Sequence, residues 1–216
     1  MNAQRTLVVI AATTVIHVSA AAAAAIDMDD PRRALGSEGA VRIDAQILQE
    51  TVSPGSSIGV TYQIVNGSDT PVAIADRMAT ASYDADTRTI TLAIGAEVPD
   101  DGKMPLVTII QPGETKVFSV GATPRLSGAV VRTAGGAPRL VQVKVSILRD
   151  LGPFELLIER TSGPTGPTLS DEQFDSWFES NDTIFLNTVP VRYAPRGTSA
   201  RASRFGADRS GADSAH

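Results

Sequence analysis

The sequence predicts an all-β protein: a sandwich of two antiparallel sheets, with one short helix inserted before the last strand. Apolar and polar residues alternate with a period of two through most of the central part of the chain, which is typical of half-buried strands. Clusters of Gly, Pro, Asp and Asn interrupt this alternation at short intervals, as turns do. The pattern indicates about nine strands, a number that two packed sheets accommodate.

The first two strands are the clearest. Residues 41–47 carry Val, Ile, Ala and Ile at alternate positions, and residues 58–64 repeat the alternation after the Ser-Pro-Gly break at 53–55. The Asn-Gly-Ser-Asp sequence at 66–69 supplies the turn chemistry for a chain reversal. The remaining strands are predicted at 72–74, 89–94, 106–110, 116–120, 140–148, 156–158 and 183–193.

The last predicted strand contains Pro190. Proline cannot donate a ladder hydrogen bond, so we expect this strand at a sheet edge or at a bulge. An edge offers unpaired backbone groups, to which a strand of another protein can add. The alternative is an edge that the protein itself protects.

The one predicted helix begins after Ser170. Ser170 and Gln173 match a capping box, and two acidic residues in the first turn suit the positive N-terminal end of a helix. Phe174, Trp177 and Phe178 fall on one face of this helix. That face either packs against the sandwich, with the only Trp as a core anchor, or binds a partner. These three aromatic residues are therefore the candidate partner-binding residues.

The two ends of the chain differ from its middle. Residues 1–25 combine one Arg, an apolar run and a string of small residues, as a signal peptide does, and predict export to the periplasm or the medium. An uncleaved anchor is the alternative. Residues 26–40 are expected to be a flexible lead-in, 41–193 the β-sandwich domain, and 194–216 a disordered tail. The tail has four Arg and two Asp, so it is either a basic arm for an acidic partner or a solvated end.

Several of these features resemble the bacterial immunoglobulin-like modules of exported proteins. They are the Pro-Gly turn at 54–55, the strand at 58–65, the Asn-containing turn at 66–71, and the Gln-Pro-Gly-Glu turn at 111–114 before a late strand. The resemblance covers residues 41–121. It implies an immunoglobulin-like sandwich and a habit of interaction, without catalytic residues to transfer.

Composition excludes many chemistries. The chain has no Cys, and its two His are His17 in the leader and His216 at the last position, so Cys-His and Ser-His-Asp arrangements are excluded from the domain. None of the three Lys has a Ser three positions before it, and no glycine-rich phosphate loop occurs. No cofactor is therefore expected. The acidic charge of the body makes nucleic acid an improbable partner.

Carboxylates are the remaining route to chemistry. Asp84 and Asp86, if brought together with Asp100 and Asp101, could hold Ca²⁺ or form an acid/base pair. The spacing departs from that of a helix-flanked calcium loop, which requires a third ligand and a glycine at positions that Arg88 and Thr89 occupy here.

We therefore expect a periplasmic or secreted, non-enzymatic module for binding or assembly through protein–protein contacts. Its expected partner is another envelope or secreted protein, and we expect no stable membrane insertion after removal of the leader. The alternative function is a calcium-dependent carbohydrate binder or a carboxylate-dependent enzyme acting on glycosides. Clustered acidic loops would favour the alternative, whereas an exposed apolar face or edge would favour the binding module.

Overall fold

A computed structural model describes residues 26, 29–126, 136–161 and 166–194. The predicted signal peptide, nearly all of the predicted tail and the segments 127–135 and 162–165 lie outside the described residues. The described chain is all-β with two short helices. In chain order its strands and helices are β1 (Arg33–Glu38), β2 (Val41–Ile47), β3 (Thr51–Val52), β4 (Ile58–Asn66), β5 (Val72–Ile74), β6 (Ala79–Asp84), β7 (Thr89–Ile94), β8 (Thr108–Ile110), β9 (Thr115–Ala122), β10 (Leu140–Leu148), α1 (Glu155–Arg160), α2 (Asp171–Ser180), β11 (Asn181–Phe185), β12 (Val189–Pro190) and β13 (Arg192–Tyr193).

The first sheet is antiparallel throughout, in the order β1-β2-β4-β9. Alternation in β4 is complete: every second residue from Ile58 to Asn66 is buried, and the residues between are half-buried. Cross-strand pairing places the ring of Tyr62 on that of Phe118, with centroids 5.2 Å apart. The period-two pattern therefore gives the sheet one face toward the core.

The second sheet has the order β6-β7-β10-β5-β8, and β11 and β12 also pair with β10. In β10, Val141, Val143, Val145 and Ile147 are completely buried. Along one edge of β10, β7 pairs with residues 140–145 and β5 pairs with Leu148. In addition, β12 pairs with Leu140 and Val141, and β11 pairs with residues 144–148. The most regular alternation in the sequence thus forms the central strand of this sheet.

The prediction of purely antiparallel sheets is wrong. β10 runs parallel to β7 over six residue pairs, from Leu140 opposite Thr89 to Val145 opposite Ile94, and the short β13 runs parallel to β3. A parallel pair needs a long crossover connection. The segment between β7 and β10, which contains β8 and β9, is long enough to return the chain to the same end. Alternation within a strand reports which face is buried and carries no information on the direction of its neighbour.

The two sheets share one hydrophobic core, whose buried side chains come from both of them. At one side of this core, β1 borders β11, and the backbone N–H of Asn187 donates to the carbonyl oxygen of Leu35 at 2.9 Å. Gly36 makes this approach possible, because a Cβ there would lie 2.8 Å from the carbonyl oxygen of Phe185. The C-terminal strands, which we expected to lie at a sheet edge or at a bulge, are therefore bordered by β1.

The N-terminal part of the described chain also differs from its prediction. Residues 26–40 were expected to form a flexible lead-in, yet β1 pairs with β2 through six residues and buries Ala34 completely. The sequence of β1, Arg-Ala-Leu-Gly-Ser-Glu, contains one Gly and no β-branched residue. A strand that forms mainly because it pairs with a neighbour, and that lacks alternating apolar residues of its own, cannot be predicted from periodicity.

A second, smaller hydrophobic cluster closes one end of the sheets. Its buried residues are Ala73, Ala75, Ala96, Met104, Leu148, Phe154, Leu169 and Trp177. We call the described residues of 95–107, 149–161 and 166–180 the cap. Residues 166–180 belong to this cap, whereas β11 to β13 pair with the strands of the main body.

One predicted strand is a helix in the cap. Residues 156–158 were expected to be a strand, but α1 spans Glu155–Arg160 and follows a 3-10 turn at Gly152–Phe154. A three-residue apolar run cannot distinguish a strand from a helix. Pro153 in the preceding turn and Glu155 at the start favour the helix, because both suit a helix N-terminus.

Both ends of the described domain lie away from the cap. The N–H of Ile47 donates to the carbonyl oxygen of Arg32 at 3.0 Å, and that of Ala194 donates to Val52 at 3.0 Å. Both contacts lie at the end of β2 where Ile47 is opposite Val60, near the start of β4. We call this the terminal end. The cap lies at the other end of the strands, beyond Leu148 of β10.

Candidate functional site

The central residue of the predicted aromatic helix face, Trp177, is buried within the chain. The capping box is present: Gln173 N donates to the Ser170 hydroxyl at 3.2 Å, and Ser170 N donates to Gln173 Oε1 at 3.0 Å. It starts α2 so that Trp177 points into the cap, where only 1% of the residue is exposed. Trp177 Nε1 donates to the carbonyl oxygen of Ala96 at 3.2 Å, and its ring lies edge-on to Phe154. Trp177 is thus a core anchor rather than part of an open surface.

The other two aromatic residues occupy intermediate positions. Phe174 is half-buried against the cap core, and Phe178 is 48% exposed. Their rings meet edge to face with centroids 5.3 Å apart. Of the three candidate residues, Phe178 alone presents a large surface to solvent. A lone exposed Phe does not form a binding face, because single exposed apolar residues are common on protein surfaces.

A groove in the cap is a better candidate. It has a volume of about 620 Å³ and lies between α1 and the sheet edge formed by β8. Its lining is mostly apolar, from residues of the turn before β5, of β8, of the segment after β10 and of α1, namely Pro71, Ile109, Leu151 and Ile158. This groove was not predicted, because the segment that forms α1 was expected to be a strand.

Charged side chains surround the apolar part of the groove. Arg149 is occupied: its guanidinium pairs with Asp182 and donates to the carbonyl oxygen of Glu38 at 2.9 Å. Asp150 accepts a hydrogen bond from Gly152 N at 2.9 Å and so starts the 3-10 turn. Glu155 and Glu159 lie four positions apart on α1, are exposed, and form no ion pair with the side chains that the structure describes. The net charge around the groove is therefore negative.

The sheet edge beside the groove is already protected. β8 is the last strand of its sheet, but Lys116 Nζ donates to the carbonyl oxygen of Ile109 at 2.6 Å and pairs with Glu114 at 3.4 Å. A lysine over an edge strand is a known means of preventing strand addition. A ligand in the groove would therefore contact side chains more than the backbone of β8.

The acidic loops do not form a common site. Asp84 serves its own turn, accepting hydrogen bonds from Asp86 N at 2.9 Å and from the Thr87 hydroxyl at 2.8 Å, and the Thr87 hydrogen bond is the main cause of its lowered pKa. This turn lies next to the start of β10, because Arg139 N donates to Arg88 O. Residues 100–102 instead belong to the cap at the other end. In the part of the chain that the structure describes, no three potential metal-ligating side chains come together.

Two further hollows lie away from the groove. One, of about 580 Å³, lies on the outer face of the second sheet and contains hydroxyl groups and the Lys144–Glu97 ion pair at 2.6 Å. The other, of about 700 Å³, lies at the terminal end between residues 29–32 and 190–192. The lining of the cap groove is more apolar than that of either hollow.

Comparison with known proteins finds no family model that matches the chain, no similar curated protein and no similar solved structure. Among the described residues, neither helix has the length and hydrophobicity that crossing a bilayer requires.

Proposed function

We propose that the chain is an exported, non-enzymatic module that binds another envelope or secreted protein through the groove of its cap. The observation that carries this proposal is the apolar lining of a groove beside α1, formed by Pro71, Ile109, Leu151 and Ile158. The proposal agrees with the composition, which provides neither Cys nor a His within the domain for catalysis.

The volume of the groove suits a few side chains of a partner. Pockets of about 300–1,000 Å³ are typical of specific binding sites, and burial of one large apolar side chain contributes about 1.5–3 kcal/mol. Such an anchor gives a modest affinity unless polar contacts at the rim add to it.

The rim favours a basic partner segment. Glu155 and Glu159 are exposed and lack ion pairs within the described residues, whereas Arg149 is already paired with Asp182. We therefore expect the partner to present an apolar side chain flanked by Lys or Arg. Charge at the rim would mainly raise the association rate and select the partner.

The immunoglobulin-like assignment also belongs to this proposal. It is supported by two sheets that share one core and by the strands that flank the Pro-Gly turns. The parallel pairing of β7 with β10 departs from the antiparallel arrangement of such modules, and the cap adds helices to it.

The proposal is tested by affinity capture from an envelope extract of the source cells, with the protein spanning residues 26–216 as bait. A charge-reversed groove, Glu155→Lys with Glu159→Lys, is compared with the matched pair Asp175→Lys with Glu179→Lys, which has the same spacing and exposure on α2. We expect a protein that the wild type and the α2 pair retain and the groove pair loses. If every retained protein is indifferent to the groove pair, the groove is not the binding surface.

A further inference from the structure

We propose that the groove also binds a segment of this same chain, residues 201–209 from a second copy, and that the protein thereby assembles head to tail. In this arrangement Phe205 enters the apolar groove, and Arg201 and Arg204 lie against Glu155 and Glu159. The inference rests on the proposed binding function of the groove and names one ligand for it.

The sequence of the C-terminal segment matches the chemistry of the groove. Phe205 is the only aromatic residue after Tyr193, and no Leu, Ile, Val or Met accompanies it there. Arg204 precedes it directly, and Arg201 and Arg209 lie within four positions. An apolar anchor between basic residues is what a negatively charged, apolar groove selects, because opposite charges steer the segment and burial of the ring holds it.

The distances favour a second copy over the same molecule. The described chain leaves at the terminal end, where Ala194 contacts Val52, while the groove lies in the cap. β10 spans nine residues between these ends, or about 27 Å at roughly 3.3 Å per residue. The eleven steps from Ala194 to Phe205 reach about 36 Å only at full extension, whereas a random coil of eleven residues has an average end-to-end distance of about 18 Å.

Binding between copies would use two different surfaces, the segment of one molecule and the groove of the next. Such contacts repeat without closing unless the rotation between copies forms a ring. Self-association should therefore depend on concentration. It should also weaken with salt, because exposed charges are screened over about 8 Å at physiological ionic strength.

The absence of Cys from the chain makes disulfide trapping a direct test. Gln111 lines the groove and is exposed, so Gln111→Cys with Ser203→Cys places one thiol at the groove and one beside the anchor, which leaves Phe205, Arg201 and Arg204 in place. The control Thr80→Cys with Ser203→Cys puts the first thiol on the exposed outer face of β6, away from the groove. After mild oxidation of the protein spanning residues 26–216, non-reducing gels separate linked copies from single chains.

We expect the cysteine pair that contains Gln111→Cys to give dimers and longer ladders at least tenfold more abundantly than the cysteine pair that contains Thr80→Cys. Adding Glu155→Lys and Glu159→Lys should reduce this trapping to the control level. Equal trapping by the two pairs, or a cross-link confined within single chains, would overturn the inference.

Failure of the inference and failure of the proposed function are distinguishable. If trapping fails while a protein spanning residues 26–194 still captures a partner that the groove pair loses, the groove binds other proteins but not this segment. If trapping succeeds and no other protein is captured, the segment is the ligand and the proposed external partner is wrong.

Discussion

Asn66 shows how much of the cap end depends on a single side chain. The residue is completely buried, and its Nδ2 donates to the carbonyl oxygens of Thr70 at 2.9 Å and Ile110 at 3.0 Å. Its Oδ1 accepts from Ser68 N at 3.1 Å. Asn66 therefore links the end of β4, the following turn and the edge strand β8, which borders the groove. The sequence predicted a turn here from residue types, but it could not show that the Asn would be buried and join β8.

Replacement of Asn66 by Ala should lower the free energy of unfolding by about 2–4 kcal/mol, because buried carbonyl groups lose their donors. Urea denaturation followed by circular dichroism measures this. The neighbouring Asp69→Ala, at an exposed position of the same turn, should change stability by less than about 0.5 kcal/mol. Equal effects of the two changes would mean that the Asn66 hydrogen bonds contribute little.

Trp177 and Phe178 are adjacent in sequence but differ in environment, with 1% and 48% exposure. Trp177→Ala leaves a cavity and removes one of the two hydrogen bonds that the carbonyl oxygen of Ala96 accepts, so we expect a loss of about 3–5 kcal/mol. Phe178→Ala should cost about 1 kcal/mol or less. Denaturant titrations of the two variants decide this, and a larger loss for Phe178 would contradict the packing described for α2.

Acid should weaken the fold through three carboxyl groups. Hydrogen bonds from Arg32, Thr87 and the backbone of Gln111 lower the pKa values of Asp30, Asp84 and Glu114, respectively, below their ordinary 3.8 and 4.5. A lowered folded-state pKa stabilises the fold above the ordinary value, and this stability is lost as the pH falls below it. We expect thermal midpoints to stay level from pH 7 to 5 and to decline below about pH 4. Asp30→Asn should make this decline shallower, and an unchanged acid profile would contradict the role of Asp30.

Individual elements were predictable where their own pattern dictated them. The alternation in β4, the alternation over the first six residues of β10 and the capping box of α2 are local signals, and the structure confirms all three. β1 and α1 were missed, because β1 gains its strand conformation from β2 and α1 from its packing against the cap. The groove depends on α1, so the candidate site could not be predicted from the sequence.

Removal of β1 tests its contribution as an element. A protein spanning residues 40–194 lacks the six-residue pairing with β2 and uncovers the side of β11. We expect its melting temperature to lie about 10 °C or more below that of residues 26–194, since each kcal/mol lost lowers the midpoint by about 2–4 °C in a chain of this size. Deleting residues 195–216 alone should leave the midpoint within about 2 °C. Similar melting temperatures with and without β1 would instead support the prediction that residues 26–40 are a flexible lead-in.

At the scale of the whole molecule, the main core and the cap core are joined through the second sheet. Leu148 of β10 pairs with Ala73 of β5, and both residues belong to the cap cluster while their strands continue into the main body. The cap is therefore built on the sheets and is not a separate domain. The two clusters could not be predicted from sequence patterns, because burial by a tertiary neighbour leaves no periodicity in a short segment.

This continuity predicts cooperative unfolding. The single Trp177 reports on the cap by fluorescence, while far-ultraviolet circular dichroism reports mainly on the strands. In a urea titration the two signals should have coincident midpoints, as expected for a two-state domain. A fluorescence transition at clearly lower urea would instead show that the cap melts by itself.

The shared position of the first and last described segments has a consequence for engineering. Residues 29–32 and 190–192 line the same hollow at the terminal end, so a short Gly/Ser bridge could join them into a circularly permuted protein. New termini could then be opened in the exposed turn at 85–87. Residues 29–194 could likewise be inserted into a surface loop of a carrier protein. The domain would then be attached to the carrier at both of its ends, with the groove on the side away from the carrier.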